Sequence, residues 1–385
     1  MLIPMRTILD VADRYGYAQG AFNVNAVCQA EAVIRIHEIF RSPAIIQGAD
    51  LANGFMGGRT DFMNATPEDK RKGAKHIADA VKRFGADSPV PIALHLDHGR
   101  DFESCVAAIE GGYTSVMIDG SALPFEENAE LTREVVRYAH ARGVTVEGEL
   151  GVLAGVEDHV FSAESTYTSP LRAIEFFRKT GVDALAISYG TMHGANKGKH
   201  AVLRREIAIA IKECMRHEGI RGYLVSHGSS TVPQYIVDGI NALGGELTDT
   251  AGIDIRQLIE ASRWGISKIN VDTDIRLAVT RNLRELFAKH PGLRDSASVG
   301  AVYGLLEKQK SASDPRVFLT PLMDTVMYGT VPDEDVERIC DCIRDGVKEV
   351  VGTLIVQFGS VGKAPETELV TLEQMAEYYK KGGNE

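Results

Sequence analysis

Three short runs in this 385-residue chain set histidine at the end of an apolar stretch: LHLDHG (94–99), YGTMHG (189–194) and VSHGSS (225–230). Each has the texture of a buried strand running out into polar residues. Side chains alternate along a strand, so His95 and Asp97 share a face, and His98, at the strand end, can turn toward the same pocket. His98, His193 and His227 at corresponding strand ends supply three imidazoles. Three imidazoles with a fourth position open form the pattern of a catalytic zinc site. His95 is read as a supporting residue behind the ligands, and His200 as a loop residue.

Carboxylates follow the same grammar. Glu147 and Glu149 in TVEGELG (145–151) are two apart and face one way. Buried without compensation they would cost several kcal/mol. A cation or hydrogen-bond donors are expected to compensate; a buried salt bridge with Arg or Lys is the alternative, disfavoured because the neighbouring strands carry no basic residue. Asp119, at the end of SVMIDGS (115–121), is placed to meet Glu149, and the two could hold a second divalent cation. HisGlySerSer (227–230) and SerLysIleAsnValAspThrAsp (267–274) suit a phosphate. Gly228 permits close backbone approach, while Ser229, Ser230 and Thr273 bring hydroxyls. Lys268, Asn270 and Asp272 alternate onto one face, where Asn270 and Asp272 can bind a hydroxylated substrate. Asp272 and Thr273 also read as plain helix N-caps.

These residues need a frame that brings strand ends together. Eight strands are expected, at 20–24, 43–49, 91–97, 115–120, 145–151, 184–190, 223–228 and 267–272. Helical stretches separate them, among them 28–40, 70–84, 101–110, 124–141, 171–180, 205–217 and 257–264. Eight alternating units imply an α/β fold, a (β/α)8 TIM barrel, with its site at the carboxyl ends of the strands. The barrel is placed at residues 1–285. Residues 286–385 read as a helical C-terminal extension packed on the barrel or on a neighbouring subunit. The loops 152–169 and 195–200 are expected to be mobile and to close over substrate.

Composition narrows the function classes. Hydrophobic residues make up 44% and charged residues 25%, a balance that permits a large core. A formal charge of −11 argues against a general nucleic-acid binder. No apolar run is long enough to span a membrane. The N-terminal segment lacks an apolar signal core and reads as a short helix ending at Gly16 or Gly20. Five cysteines, an odd count without a C-x-x-C pair, suit a reducing cytoplasm.

Taken in order, these motifs resemble the class II, metal-dependent ketose-bisphosphate aldolases. The likeness runs through AFNVN (21–25), MGG (56–58), LDHG (96–99), SVMIDGS (115–121) and EGELG (147–151). It continues through GTMHG (190–194), HGSS (227–230) and KINVDTD (268–274). DPR (314–316), FGSVGKA (358–364) and LEQMAEYY (372–379) resemble the longer fructose-bisphosphate aldolases associated with the Calvin cycle. The resemblance implies zinc on His98, His193 and His227, and Asp119 and Glu149 at a second metal position. It leaves room for a monovalent cation. It implies Asp97 as acid/base at the C4 oxygen and Glu157 as the carboxylate that moves the proton of dihydroxyacetone phosphate. Asn23, Gly194, Gly228, Ser229, Ser230, Asn270, Val271, Asp272 and Thr273 would hold substrate and its phosphate. Arg316 would reach the other phosphate from an adjacent subunit of a homo-oligomer, a dimer or tetramer.

The implied reaction is reversible cleavage of fructose 1,6-bisphosphate to two triose phosphates through a zinc-stabilised enediolate. One position departs from the family. A serine usually stands two residues beyond the place of Gln47, and here it is Ala49. That keeps tagatose 1,6-bisphosphate and sedoheptulose 1,7-bisphosphate as alternative substrates. A zinc hydrolase on the same barrel would not need the phosphate turn. A non-catalytic binding protein would not need the full set of ligands and proton carriers.

Overall fold

The computed structural model describes residues 2–383 except 154, 158–159, 163–165, 193 and 198–200, and except the side chains of 155–157 and 160–162. Its strands are β1 (Gln19–Asn23), β2 (Ala44–Ala49), β3 (Ile92–Gly99), β4 (Ser115–Ile118), β5 (Thr145–Leu150), β6 (Gly155–Glu157), β7 (Val160–Ser162), β8 (Ala184–Ile187), β9 (Tyr223–Ser226) and β10 (Ile266–Val271). Among the described residues, eight of them close into a parallel barrel in the order β1-β10-β9-β8-β5-β4-β3-β2. The fold is the expected (β/α)8 barrel. β6 and β7 form a separate antiparallel hairpin within the loop after β5. The barrel strands are buried along nearly their whole length, as parallel strands covered on both faces must be.

The surrounding helices begin where local chemistry allows. Thr66 and Asp69 form a capping box on the helix Pro67–Gly85, and the Asp101 carboxylate caps Phe102–Gly111 by accepting from the Ser104 N–H. One helix, Gln234–Ala242, was not expected; it fills the stretch between β9 and the helix Ile255–Ala261. The boundary expected at residue 285 falls inside the helix Thr273–Lys289. One hydrophobic cluster runs from the barrel helices into Val299, Phe318, Val336 and Phe358. The long helix Glu334–Phe358 lies against Val27–Phe40 and Thr273–Lys289. Gly346 lets it approach Ala278 closely, since a Cβ there would stand 3.1 Å from the Ala278 carbonyl. Among the described residues, no helix is long and apolar enough to cross a membrane.

The inside of the barrel is layered. At its floor, Ala21, Ile45, Ala93, Met117, Ala186 and Val225 pack against Ile3, Met5, Ile8 and Leu9 of the N-terminal segment. The helix Met5–Tyr15 therefore plugs the barrel, and it ends at Gly16, whose φ of 65° is left-handed. Two residues further along the strands the layer turns polar: Asn23, Gln47, His95, Glu147 and His227 are all buried. Strand alternation thus gives one set of positions a dry floor and a polar mouth.

A buried ion pair holds the floor from outside. Arg6 Nη1 lies 2.8 Å from Asp183 Oδ1, with the side chains 4% and 0% exposed. Asp183 also accepts from Tyr379 Oη (2.9 Å) and the Val146 N–H (2.8 Å), and His140 Nε2 stands 2.9 Å away. His140 and Tyr379 stack with ring centroids 3.6 Å apart. Removing the cation leaves a carboxylate buried and short of charge. Arg6→Met is expected to cost about 3 kcal/mol, the scale for breaking one half of a buried pair. Denaturant unfolding of the variant checks this.

Candidate active site

At the mouth, β3 ends in a way regular strands do not. Its pairing with β4 shifts register between Leu96 and Gly99, and His98 sits at φ 50°. A left-handed non-glycine residue costs roughly 1–2 kcal/mol. The irregularity lets consecutive residues, Asp97 and His98, both face the pocket. Gly99 is required beside them, since a Cβ there would lie 2.5 Å from the Met117 carbonyl oxygen.

His98 and His227 bring their rings together. His98 Nε2 stands 3.1 Å from His227 Nδ1. The outer nitrogen of each ring faces a carboxylate: His98 Nδ1 is 2.9 Å from Asp119 Oδ2, and His227 Nε2 is 2.7 Å from Glu147 Oε1. This is how metal-binding imidazoles are oriented, with one nitrogen held from behind and the other turned to the ion. Ligand atoms of Asp97, His98 and His227 lie within 4.8 Å of one another, and so do those of His98, Asp119 and Glu149. The donor set fits a divalent cation. His193 lies outside the described residues, as does His200. Glu157 falls on β6, whose side chains are not described.

Charge in this layer is balanced chiefly at Glu147. Its Oε2 accepts from Lys268 Nζ at 2.9 Å, with both side chains fully buried. For Glu147 the alternative of a buried salt bridge is the one the structure shows. Lys268 comes from β10, across the barrel, and the alternation of Lys268, Asn270 and Asp272 was the signal that pointed it inward. Burial alone would raise the Glu147 pKa, but Lys268, the His227 hydrogen bond and His95 hold it well below the usual carboxylate range. His95 goes the other way. Burial, with Lys268 beside it, keeps it neutral, and its Nδ1 lies 2.8 Å from Ser115 Oγ. Burial also lowers His227, whereas at His98 the charges of Asp97, Asp119 and Glu149 overcome burial and raise the pKa.

Asp119 is engaged by His98 and Ser121, whose N–H and hydroxyl reach Oδ1 at 3.1 and 2.6 Å. Asp97 accepts from two amides, Asn23 Nδ2 at Oδ2 and Asn270 Nδ2 at Oδ1, both 2.9 Å. Gln47 Nε2 donates to Asn23 Oδ1 at 2.5 Å, which fixes the way the Asn23 amide points. This Gln47–Asn23–Asp97 relay was not foreseen. Its signal is two polar residues at inward positions of otherwise apolar strands. Ala49 pairs in register with Asp97 and sets a methyl beside it.

The proposed phosphate turn lies after β9. Gly228 has φ 58°. Ser229 Oγ is turned into its own loop, 2.7 Å from Ser226 Oγ and donating to the His227 carbonyl at 3.1 Å. Asp274, fully buried and not singled out beforehand, braces the loop. It accepts from the Thr231 N–H and hydroxyl (both 2.8 Å) and the Val232 N–H (2.7 Å), where Val232 has φ 47°. Gly194 has φ 81° at the start of the loop tied to residue 251 by the Asn196–Ala251 bridge. Ser230 and Val271 are buried nearby, and Thr273 opens the helix Thr273–Lys289.

Asp272 makes no side-chain cap on that helix, contrary to the N-cap reading; Arg276 Nε donates to it at 2.9 Å. Arg276 Nη1 also reaches Asp314 at 3.3 Å, and Asp314 in turn accepts from Arg316 Nε and Nη2 at 3.0 and 2.8 Å. Arg316 is 2% exposed and stacks over Phe62 at 4.4 Å. The structure thus engages Arg316 with its own chain, at the end of a relay that starts at β10.

A family model described as class-II fructose-bisphosphate aldolase matches residues 3–363. This chain belongs to the class-II fructose-bisphosphate aldolase family. A fructose-bisphosphate aldolase of Giardia intestinalis is 36% identical over 98% of this chain and 99% of its own length. One from Treponema pallidum is 41% identical over 74% of this chain and 86% of its own. The crystal structure of the YdjI aldolase from Escherichia coli K12 superposes with a TM-score of 0.64 at 26% identity, covering 94% of this chain and 100% of that one. As in the family, the chemistry is metal-dependent, and facing imidazoles backed by carboxylates are what this aldolase fold brings to it. Glu147→Gln is expected to weaken metal affinity by about 10- to 100-fold, because it alters the group that orients His227. Competition with a metallochromic chelator measures it.

Proposed function

We propose that this chain reversibly cleaves fructose 1,6-bisphosphate to dihydroxyacetone phosphate and glyceraldehyde 3-phosphate, with zinc as the resident ion. The observation that carries this reading is the convergence of Asp97 with the two facing imidazoles of His98 and His227 at one end of the barrel. His98, His193 and His227 would hold the ion, and Glu149 lies within reach of the same pocket. Asp119 is then the group that orients His98, and with Glu149 it marks where a second cation would sit. A divalent cation bound there supplies a Lewis acid toward the ketone and its neighbouring hydroxyl.

The rest of the cleavage falls to side chains. Asp97, fixed by Asn23 and Asn270, takes the proton from the C4 hydroxyl as the C3–C4 bond breaks. Asn270 and Asp272 would meet substrate hydroxyls. The loops after β9 and β10 would cradle one phosphate, with Gly194, Gly228, Ser229, Ser230, Val271 and Thr273 lining it. Glu157, from the hairpin after β5, would return a proton to the dihydroxyacetone phosphate carbon. Arg316 would serve the second phosphate. A homo-oligomer, dimer or tetramer, located in the cytoplasm, completes the proposal. Ala49 beside Asp97 keeps tagatose 1,6-bisphosphate and sedoheptulose 1,7-bisphosphate as alternative substrates to assay.

Asp97→Asn is expected to retain metal while turnover falls by roughly 10²–10⁴-fold, the usual reach of one general acid–base group. A triose-phosphate-coupled assay with metal analysis of the same sample decides it; unchanged turnover removes Asp97 from the reaction. Chelation is expected to abolish cleavage of fructose 1,6-bisphosphate and added zinc to restore it. Activity that survives complete metal removal would overturn the proposal.

A further inference from the structure

Away from the site, two thiols face each other across a helix–helix contact. The helices Val27–Phe40 and Glu334–Phe358 run side by side in the same direction. Their register is fixed at two places. Arg344 Nε meets Glu31 Oε2 at 3.0 Å, and Gly352 sits against Phe40 and Ile36, where a Cβ would stand 3.2 and 3.3 Å from their side chains. One turn before the ion pair, that register sets Cys340 opposite Cys28. The neighbour that most affects each thiol is the other one. Both are free thiols, 5% and 2% exposed.

We propose that Cys28 and Cys340 form a reversible disulfide when the protein meets a hydroperoxide, tying the first barrel helix to the long C-terminal helix. Cys340 is the attacking sulfur. Its thiolate displaces water from hydrogen peroxide, with a proton taken up by the leaving oxygen, and becomes a sulfenic acid. The Cys28 sulfur then attacks that sulfenic sulfur. The S–O bond breaks, a second water leaves, and the S–S bond closes. In sum, two thiols and one peroxide give one disulfide and two waters.

The surroundings support this division of roles. The neighbouring Cys28 draws the Cys340 thiol below its ordinary value against burial, Arg344 adds to the effect, and the Cys28 thiol is pushed up. The Cys105 and Cys342 thiols are pushed up instead, and Cys342, although more exposed than Cys340, donates to the Ile339 carbonyl of its own helix at 3.2 Å. The position matters as well. Cys28 lies in the first turn after the loop that leads from Asn23, so the cross-link would anchor the end of β1 that donates to Asp97. Gly329 packs on the neighbouring Val27, which brings the segment following Arg316 to the same helix start.

Metal-loaded protein treated with hydrogen peroxide, then alkylated without reductant and mapped by mass spectrometry, tests the proposal. The expected result is a Cys28–Cys340 linked peptide that dithiothreitol removes, with Cys105 and Cys342 still alkylated after unfolding. The unfolding temperature should rise by roughly 5 °C, the effect of closing a very long ring in the unfolded chain. C28S and C340S, near-isosteric changes, should abolish both the linked peptide and the rise. Absence of the linked peptide at peroxide levels that oxidise Cys214 would overturn the proposal. A linked peptide with no change in unfolding temperature would overturn the claim that it ties the two helices together.

Discussion

A carboxylate with no access to water sits at the centre of this barrel, and the polar layer is arranged around it. Glu147 is fully buried and meets Lys268 on one oxygen and His227 on the other. Ions removed from water lose several kcal/mol each, and only close pairing with further hydrogen bonds offsets that. The pairing therefore decides which side chains can stand near it. His95 beside Lys268 stays neutral, and His227 is fixed in ring orientation by the same carboxylate. A pair that spans the barrel from β5 to β10 also demands that both strands keep their register, so charge balance and barrel closure are one constraint.

Above this layer the backbone gives up regularity to place reactive groups. His98 takes a left-handed conformation at a register shift, and Val232 does the same in the loop after β9. Such residues persist where surrounding contacts over-determine them. At His98 those contacts are Asp119 behind the ring and His227 in front. At Val232 the carboxylate of Asp274 takes two successive N–H groups. Both sites thus show strain held by hydrogen bonds to acids, one at the end of β3 and one in the loop after β9.

Much of this could be read from the chain alone, because parallel strands carry continuous apolar runs and the (β/α) alternation has a simple period. The strand ends holding His98 and His227 were legible for that reason, and so was the inward face shared by Glu147 and Glu149. What escaped was pairing across the barrel. Lys268 is distant from Glu147 in sequence, and alternation says only that a side chain points inward, not which opposite strand it meets. Gln47 was likewise visible as an inward polar residue, while its bond to Asn23 depends on the register of β1 with β2. Arg316 shows a different limit. Its motif was recognisable, but its engagement by Asp314 and Phe62 depends on how a segment beyond the barrel folds back.

The floor of the barrel carries a consequence for the order of synthesis. Arg6 and the plug it belongs to leave the ribosome before the barrel strands, yet Arg6 is fastened by Asp183 and Tyr378, and Asp183 is held in turn by Tyr379. Contacts separated by so many residues are slow to form, since a long loop must close before they return any energy. During translation the N-terminal helix can seat itself against emerging strands, but its clamp is incomplete until residue 379 has cleared the exit tunnel. The nascent barrel must therefore spend its translation time with an unlatched base.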